Sequence, residues 1–496
     1  MNRANDKEQI KAISLFSGLG GIDIGLHQAG VETVACVEKN DTAAETLKIN
    51  SRKHPEKPNQ NQISVPEKYP WKVIDTDIRE VDAEDIFEEC GADKDRIDLV
   101  VGGPPCQTFS RSNEGSRSGT DTERGKLYQE YAKILHQIEP EAFIFENVRG
   151  LKSANGGKDL EMVREELERD TYDTEFKVMN AANFGVPQTR KRIIIVGIKP
   201  DVEFEFPEPS HTENGEGNTE EWVSAGEALS EFEIDQDIEQ DGGYTNAIGS
   251  KYGPLLKNIP QGANYQHFSE RKYNPEKGEY VERSEDELEE KEFGWRTRHW
   301  NYLLKLDRKR PSWTLQAAPG TTVGPFHWRA RKLSLLEQMK LMTIPLDYYI
   351  AGPPAEIQKQ IGNAVPPNLA EAVANKLADC LDLPTAESHS PGQDMETDAE
   401  STDNFAIEVG TEESPWLYAD QILSTVLSDD AAVVEAKQQA IPSAIDALMI
   451  AERQAQIDLN FEIEEKTLEG ENEKGGVSSK LEVKAVSEKA KIKLTA

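Results

Sequence analysis

The feature that most limits how this chain can fold is an apolar strand that runs straight into a glycine-rich turn and then a helix. Residues 12–16 are apolar and end at Phe16. Ser17-Gly18-Leu19-Gly20-Gly21 follows, and a helix is expected through about Gln28. Glycines at such a junction let the backbone come close to a ligand. The alternation continues. Residues 31–37 read as a second strand ending at Glu38, with Asp41 placed to cap a helix over 42–49. Residues 73–74 lead to Asp77, and 98–101, 142–145 and 193–196 are further apolar strands, with a helix over 128–138. Strand and helix in turn predict an α/β fold with a mostly parallel sheet covered on both faces.

Four short stretches carry chemistry. The first is the glycine turn. It is not the dinucleotide fingerprint, which started at Gly18 would need glycine where Asp23 stands. Glu38 and Asp77 end the next two strands and suit ribose hydroxyls and an adenine amine. A tight turn flanked by surface acids is the competing reading. The second is Gly102-Gly103-Pro104-Pro105-Cys106-Gln107. Its glycines and prolines fix a stiff turn at a strand's C-terminal end, where open α/β sheets bind ligands. A cysteine held there suits a nucleophile better than a packed core residue. The third is Phe145-Glu146-Asn147-Val148, an acid directly after an apolar strand. In a dry pocket its pKa rises and it can donate a proton at neutral pH; a helix N-terminal acid is the plainer alternative. The fourth is Gln188-Thr189-Arg190-Lys191-Arg192. Alternation sets Arg190 and Arg192 on one face, able to reach one anionic or carbonyl target. A basic strand edge that discourages pairing would look the same.

These stretches, with Arg310-Pro311-Ser312-Trp313-Thr314 and Gly362-Asn363-Ala364-Val365, stand in the order found in the DNA (cytosine-5) methyltransferase family, which the chain resembles over about residues 11–382. The resemblance implies a Rossmann-like S-adenosyl-L-methionine-dependent domain. It implies that Cys106 adds to carbon 6 of a flipped cytosine, that Glu146 holds and protonates N3, and that Arg192 with Arg190 binds the O2 side. Phe16, Gly18, Gly20, Glu38, Asp77, Pro104, Asn363 and Val365 would hold the cofactor, and the loop 111–124 would close over the base. The partners implied are double-stranded DNA and a cognate restriction endonuclease, with the enzyme a monomer and no metal used. One departure is Thr76-Asp77-Ile78, where many members have glycine before the aspartate. An RNA methyltransferase of the tRNA-modifying branch and a silent DNA-binding homologue are the alternatives. The residues after Cys106 look like the DNA branch, and intact Cys106, Glu146 and Arg192 argue against silence.

The domain plan follows. Residues 11–199 and 308–383 make the catalytic domain, and the acidic, loop-rich 200–307 the target-recognition domain. Residues 384–413 read as an acidic linker and 414–496 as a small α+β module, with helical spacing over 442–456 and three period-two segments after it. At 496 residues the chain can bury a full core. Four scattered cysteines form no CxxC pair, no run of 18 apolar residues exists and the start is polar. These point to a reducing cytoplasm, away from membranes and disulfide scaffolds.

Charge is the anomaly. Lys and Arg number 56 against 91 Asp and Glu, a net −35. From Pro384 on there are 24 acids and 9 bases, which leaves −20 on the rest. Such a surface repels DNA in dilute salt, whereas at molar salt the Debye length falls to about 3 Å. Composition therefore predicts a halophilic host and recognition through base edges more than phosphates.

Overall fold

The computed structural model describes residues 9–51, 69–105, 127–200, 202–230, 252–296, 299–346, 348–381, 460–467, 479–486 and 491–495. Eight strands come first: β1 (Lys11–Leu15), β2 (Glu32–Glu38), β3 (Lys72–Asp75), β4 (Leu99–Gly102), β5 (Ala142–Val148), β6 (Asp173–Asn180), β7 (Gln188–Thr189) and β8 (Lys191–Ile198). Seven of them form one sheet in the order β3-β2-β1-β4-β5-β8-β6. The run from β3 to β5 is parallel, and β8 inserts antiparallel between β5 and the edge strand β6. The expected α/β fold is thus present, with an antiparallel pair closing one side.

Alternate residues of each strand feed two cores, as strands buried on both faces require. Ile13, Leu15, Val100, Phe143 and Ile195 pack on one side with Tyr131 and Leu135 of α4 (Leu127–Ile138). Ala12, Leu99, Val101, Ile144 and Ile194 pack on the other. There they meet α1 (Gly21–Gln28) and the late helix α9 (Pro367–Leu381). Helix α1 approaches α9 through two glycines. A Cβ on Gly21 would stand 2.3 Å from the Val365 carbonyl oxygen, and one on Gly25 would stand 2.4 Å from that of Pro367. The chain's last catalytic-domain helix is thereby seated against its first.

Helix α2 (Asp41–Asn50) corrects one expectation: Asn40, not Asp41, is its cap. The Glu38 carboxylate accepts from the Asn40 amide at 2.8 Å, which holds Asn40 in the extended conformation a cap needs. The Asn40 side chain then accepts from the Ala43 amide, and Asp41 falls into the first helical turn. Helices α3 (Ala83–Cys90) and α5 (Lys158–Glu168) complete the covering of the sheet's first half and of β6.

The region after residue 200 is built from shorter pieces. They are β9 (His211–Thr212) beside β10 (Glu220–Glu221), α6 (Ala225–Ala228), the hairpin β11 (Arg271–Asn274) and β12 (Glu279–Glu282), and β13 (Ser312–Trp313) beside β7. Leu256, Ile259, Tyr265, Tyr273, Leu303 and Phe326 form a small core of its own. That core runs past the expected boundary at 307, because Phe326 pairs its amide with the Leu304 carbonyl and Leu306 returns the bond. Helices α7 (Leu335–Leu341) and α8 (Pro354–Asn363) lead back to α9.

The last described strands belong to a second unit. In it β14 (Asn460–Thr467), β15 (Ser479–Val486) and β16 (Lys491–Thr495) pair antiparallel, where period two predicted a small sheet. The linker 384–413 and the helical spacing over 442–456 lie outside the described residues. Among the described residues no helix is long and apolar enough to cross a membrane.

Candidate active site

Parallel strands deliver their C-terminal ends to one edge of the sheet, and most of the expected site residues lie along it. In strand order that edge carries Asp77 past β3, Glu38 at the end of β2, Phe16 and Gly18 past β1, and Pro104 past β4. Phe16, Gly18 and Gly20 all have positive φ (55°, 59° and 90°), so the turn coils away from the strand before α1 begins. A Cβ on Gly18 would meet no atom within 4 Å, so the turn faces open space there. Gly20 is different: a Cβ would press on the Tyr348 hydroxyl at 2.9 Å, which itself donates to the Leu19 carbonyl. Tyr348 is a support for the turn that sequence reading missed, and no local motif marks it. Asp23, which breaks the dinucleotide pattern, is wholly buried and accepts from the Ser14 and Thr33 hydroxyls. Burial pushes its pKa up to about 6.

Glu38 accepts from the Gly18 amide at 2.8 Å, tying the turn to the second strand while its carboxylate keeps further acceptor positions. Asp77 is held by Arg79, whose Nε and terminal nitrogen reach its two oxygens at 3.0 and 2.6 Å, and by Lys39 at 3.2 Å. Arg79, then burial against it, sets the balance, and the carboxyl lies well below the usual carboxylate range. At the other end, Asn363 is exposed where α8 stops, and Val365 is buried against α1. The donor set suits a nucleoside-bearing cofactor: acids for hydroxyls and an amine, an open glycine turn and an aromatic ring on one edge.

Glu146 is the second centre. It sits near the end of β5, 8% exposed, and the Arg192 guanidinium on β8 donates to it at 2.7 Å. Burial raises the Glu146 pKa, with Arg192 and then Arg190 opposing it. A Cβ on Gly103 would lie 2.6 Å from the other Glu146 oxygen, so any larger residue here would push the carboxyl out of its place. The Gly102-Gly103-Pro104-Pro105 turn therefore passes the carboxyl directly. Cys106 and the loop 111–124 lie outside the described residues.

The two arginines do not share a target. Arg190 is fully buried, and its guanidinium donates to the carbonyls of Leu315, Gly362 and Ala364 at 3.2, 2.7 and 2.8 Å. It clasps the Gly362–Val365 segment to the end of the sheet, because Arg190 lies in the break between β7 and β8 and alternation does not carry through it. Gln188 does related work: its side chain donates to the Leu341 carbonyl and accepts from the Leu315 amide. The Thr189 hydroxyl donates to the Ser312 carbonyl at 3.1 Å and the Thr314 hydroxyl to the Thr189 carbonyl at 2.9 Å, so the 312–314 stretch is docked on β7.

Comparison with known proteins identifies the family. The family of C-5 cytosine-specific DNA methylases matches residues 10–379. The Type II methyltransferase M.SacI of Streptomyces achromogenes is 32% identical over 407 residues, covering 75% of this chain and 94% of its own. M.NgoFVII of Neisseria gonorrhoeae is 31% identical, covering 74% and 85%. A crystal structure described as a prophage-encoded DNA modification methyltransferase of E. coli superposes with a TM-score of 0.51 at 20% identity, over 75% of this chain and all of that one, a likeness of fold.

Proposed function

This chain belongs to the C-5 cytosine-specific DNA methylase family and is a DNA cytosine-5 methyltransferase of restriction–modification type; on that premise we propose its chemical route and the residues that carry it. The substrate is a cytosine flipped out of double-stranded DNA, and the cofactor is S-adenosyl-L-methionine, which supplies an electrophilic methyl group when bound. Phe16, Gly18, Gly20, Glu38, Asp77, Pro104, Asn363 and Val365 hold it along the strand ends. A cognate endonuclease cutting the same site is the partner such an enzyme protects against.

Carbon 5 of cytosine is too poor a nucleophile to take a methyl group unaided. The Cys106 thiolate adds to carbon 6, and the displaced electron pair is drawn toward N3 as Glu146 gives N3 its proton. Carbon 5 becomes enamine-like and takes the methyl group. Loss of the carbon 5 proton to a base, departure of Cys106 as thiolate and return of the N3 proton to Glu146 restore the ring. The observation that carries the reading is the buried Glu146–Arg192 pair packed against Gly103, two residues before the Pro105-Cys106 step. The raised Glu146 pKa keeps the acid form present to higher pH than a free carboxyl would allow. Arg192 fixes the carboxyl and stands ready for charge developing on the O2 side. Arg190 acts one step back, by holding the Gly362–Val365 segment in place.

The test is methyl transfer to plasmid DNA across a salt series, mapped by bisulfite sequencing, with Cys106→Ala alongside. Methylcytosine at one short sequence, absent in the variant, is the expected result. Transfer by Cys106→Ala at the wild-type rate would overturn the route; no transfer to DNA by the wild type would move the substrate to RNA.

A further inference from the structure

The methyltransferase reading leaves one strongly charged surface without a role. Two contiguous grooves of about 550 and 520 Å³ border the edge strand β6 and share Arg149, Asn180, Lys191 and Trp222. Lys152 and Lys177 extend one, and Trp313 extends the other. Among the described residues no carboxylate lines either groove, on a chain whose net charge is −35. Among the described residues Arg149, Lys177 and Lys191 make no ion pair, while the Lys152 ammonium stands 5.8 Å from the Phe176 ring centre. Trp222 and Trp313 are only partly buried. The Trp222 indole nitrogen donates to Asn183, which fixes the ring in the wall.

The position matters as much as the charge. Lys191 is the neighbour of Arg192, and Arg149 follows Val148, the register partner of Arg192 across β5 and β8. The groove lining thus includes the chain neighbour of Arg192 and a residue three on from Glu146. Cations without carboxylates, interleaved with fixed indole faces, recognise a polyanion that also carries flat rings, which is the chemistry of a nucleic-acid strand.

We propose that these grooves form a track for the DNA strand flanking the target cytosine, with phosphates on Arg149, Lys152, Lys177 and Lys191 and sugar or base faces against Trp222 and Trp313. The inference rests on the DNA methyltransferase reading and adds to it a phosphate-binding surface. A simpler role would be to blunt the exposed edge of β6 with charge. Such a guard needs only Lys177 on β6, and it asks for neither Lys191 on the inner strand β8, nor the two cations after β5, nor the tryptophans.

The experiment is fluorescence-anisotropy binding of the full chain to a labelled DNA duplex across a salt series. It compares wild type, Lys152→Gln/Lys177→Gln, the charge-keeping Lys152→Arg/Lys177→Arg, and a distant control, Lys94→Gln/Lys359→Gln. Each lost phosphate contact removes about 0.9 from the slope of log affinity against log salt. Between roughly 0.05 and 0.2 M salt the wild type should therefore lose about 12-fold more affinity than the double glutamine variant. The arginine variant should keep the wild-type slope, and so should the control. An unchanged slope in the glutamine variant, with methylcytosine still formed, overturns the track and leaves the enzyme reading standing. Aggregation of that variant with no change in slope assigns the lysines to edge protection and overturns it equally. A lowered slope in a protein that methylates no DNA would keep the track and remove the reaction.

Discussion

The sheet with its flanking helices and the 252–326 region reach a single compact unit by different means. In the first, period-two strands and helical stripes sort residues into two cores, and the site residues fall at strand ends because the topology puts those ends together. In the second, regular structure is slight, and edge-to-face rings do the organising. Tyr265, Phe293 and Tyr302 meet one another at centroid distances of 5.4 to 6.4 Å, and Tyr280 stands against both Tyr273 and Trp295. A sheet constrains sequence through repetition, whereas an aromatic cluster constrains it only at scattered points.

The largest expected effect comes from breaking the first kind of construction. Gly25→Val sets a branched side chain where a Cβ would already lie 2.4 Å from the Pro367 carbonyl and 2.7 Å from the Ala370 Cβ. Neither neighbour is the end of a flexible chain, so α9 must move off α1. A loss of about 3 kcal/mol is expected in denaturant unfolding, with cofactor binding lost alongside it. A variant that keeps wild-type stability would show that the α1–α9 seam does not hold the two ends of the domain together.

Breaking the second kind should cost less and act elsewhere. Lys305 is 5% exposed, and its ammonium donates to the carbonyls of Leu256 and Ile259 at 3.2 and 2.9 Å. Burial holds its pKa below the usual lysine value. Lys305→Met keeps the length but strands two carbonyls, partly offset by no longer burying a charge. About 1–2 kcal/mol of stability should go. Titrations should show weaker DNA binding with cofactor affinity unchanged, since the strand ends are not touched. Equal loss of both would mean that the two regions are mechanically one.

This contrast also explains what the sequence could reveal. The strand order's parallel half, the glycine turn, Glu38, Asp77 and Glu146 all sit where a strand stops, and a stop is visible in the hydrophobic pattern. Tyr348 and the Arg190 clasp were hidden, because their partners are backbone atoms more than 100 residues away. The groove was hidden for another reason. Its cations come from four separate positions (149, 152, 177 and 191), and composition averages them into a net acidic total. Read as a sum, that total favoured base-edge contacts; read in place, it leaves room for a phosphate track. The small core was hidden as well, because it draws Phe326 in from beyond the acidic stretch and the basic run that follows it.

The smallest effect sharpens the comparison at its most local level. Asn40 and Asp41 are adjacent, and both are good capping residues, so pattern alone cannot choose between them. The choice is made two residues earlier by Glu38, which binds the Asn40 amide at 2.8 Å while its other oxygen takes the Gly18 amide. The cap is thus set by the same carboxylate that closes the glycine turn. Asn40→Ala should cost about 1 kcal/mol in thermal or denaturant unfolding, and Asp41→Ala only a few tenths, through its weaker favourable position in the first turn. The order of the two losses is the measurement. Should Asp41→Ala prove the costlier, Glu38 would not be holding Asn40 extended, and its bond to the glycine turn would be open to the same doubt.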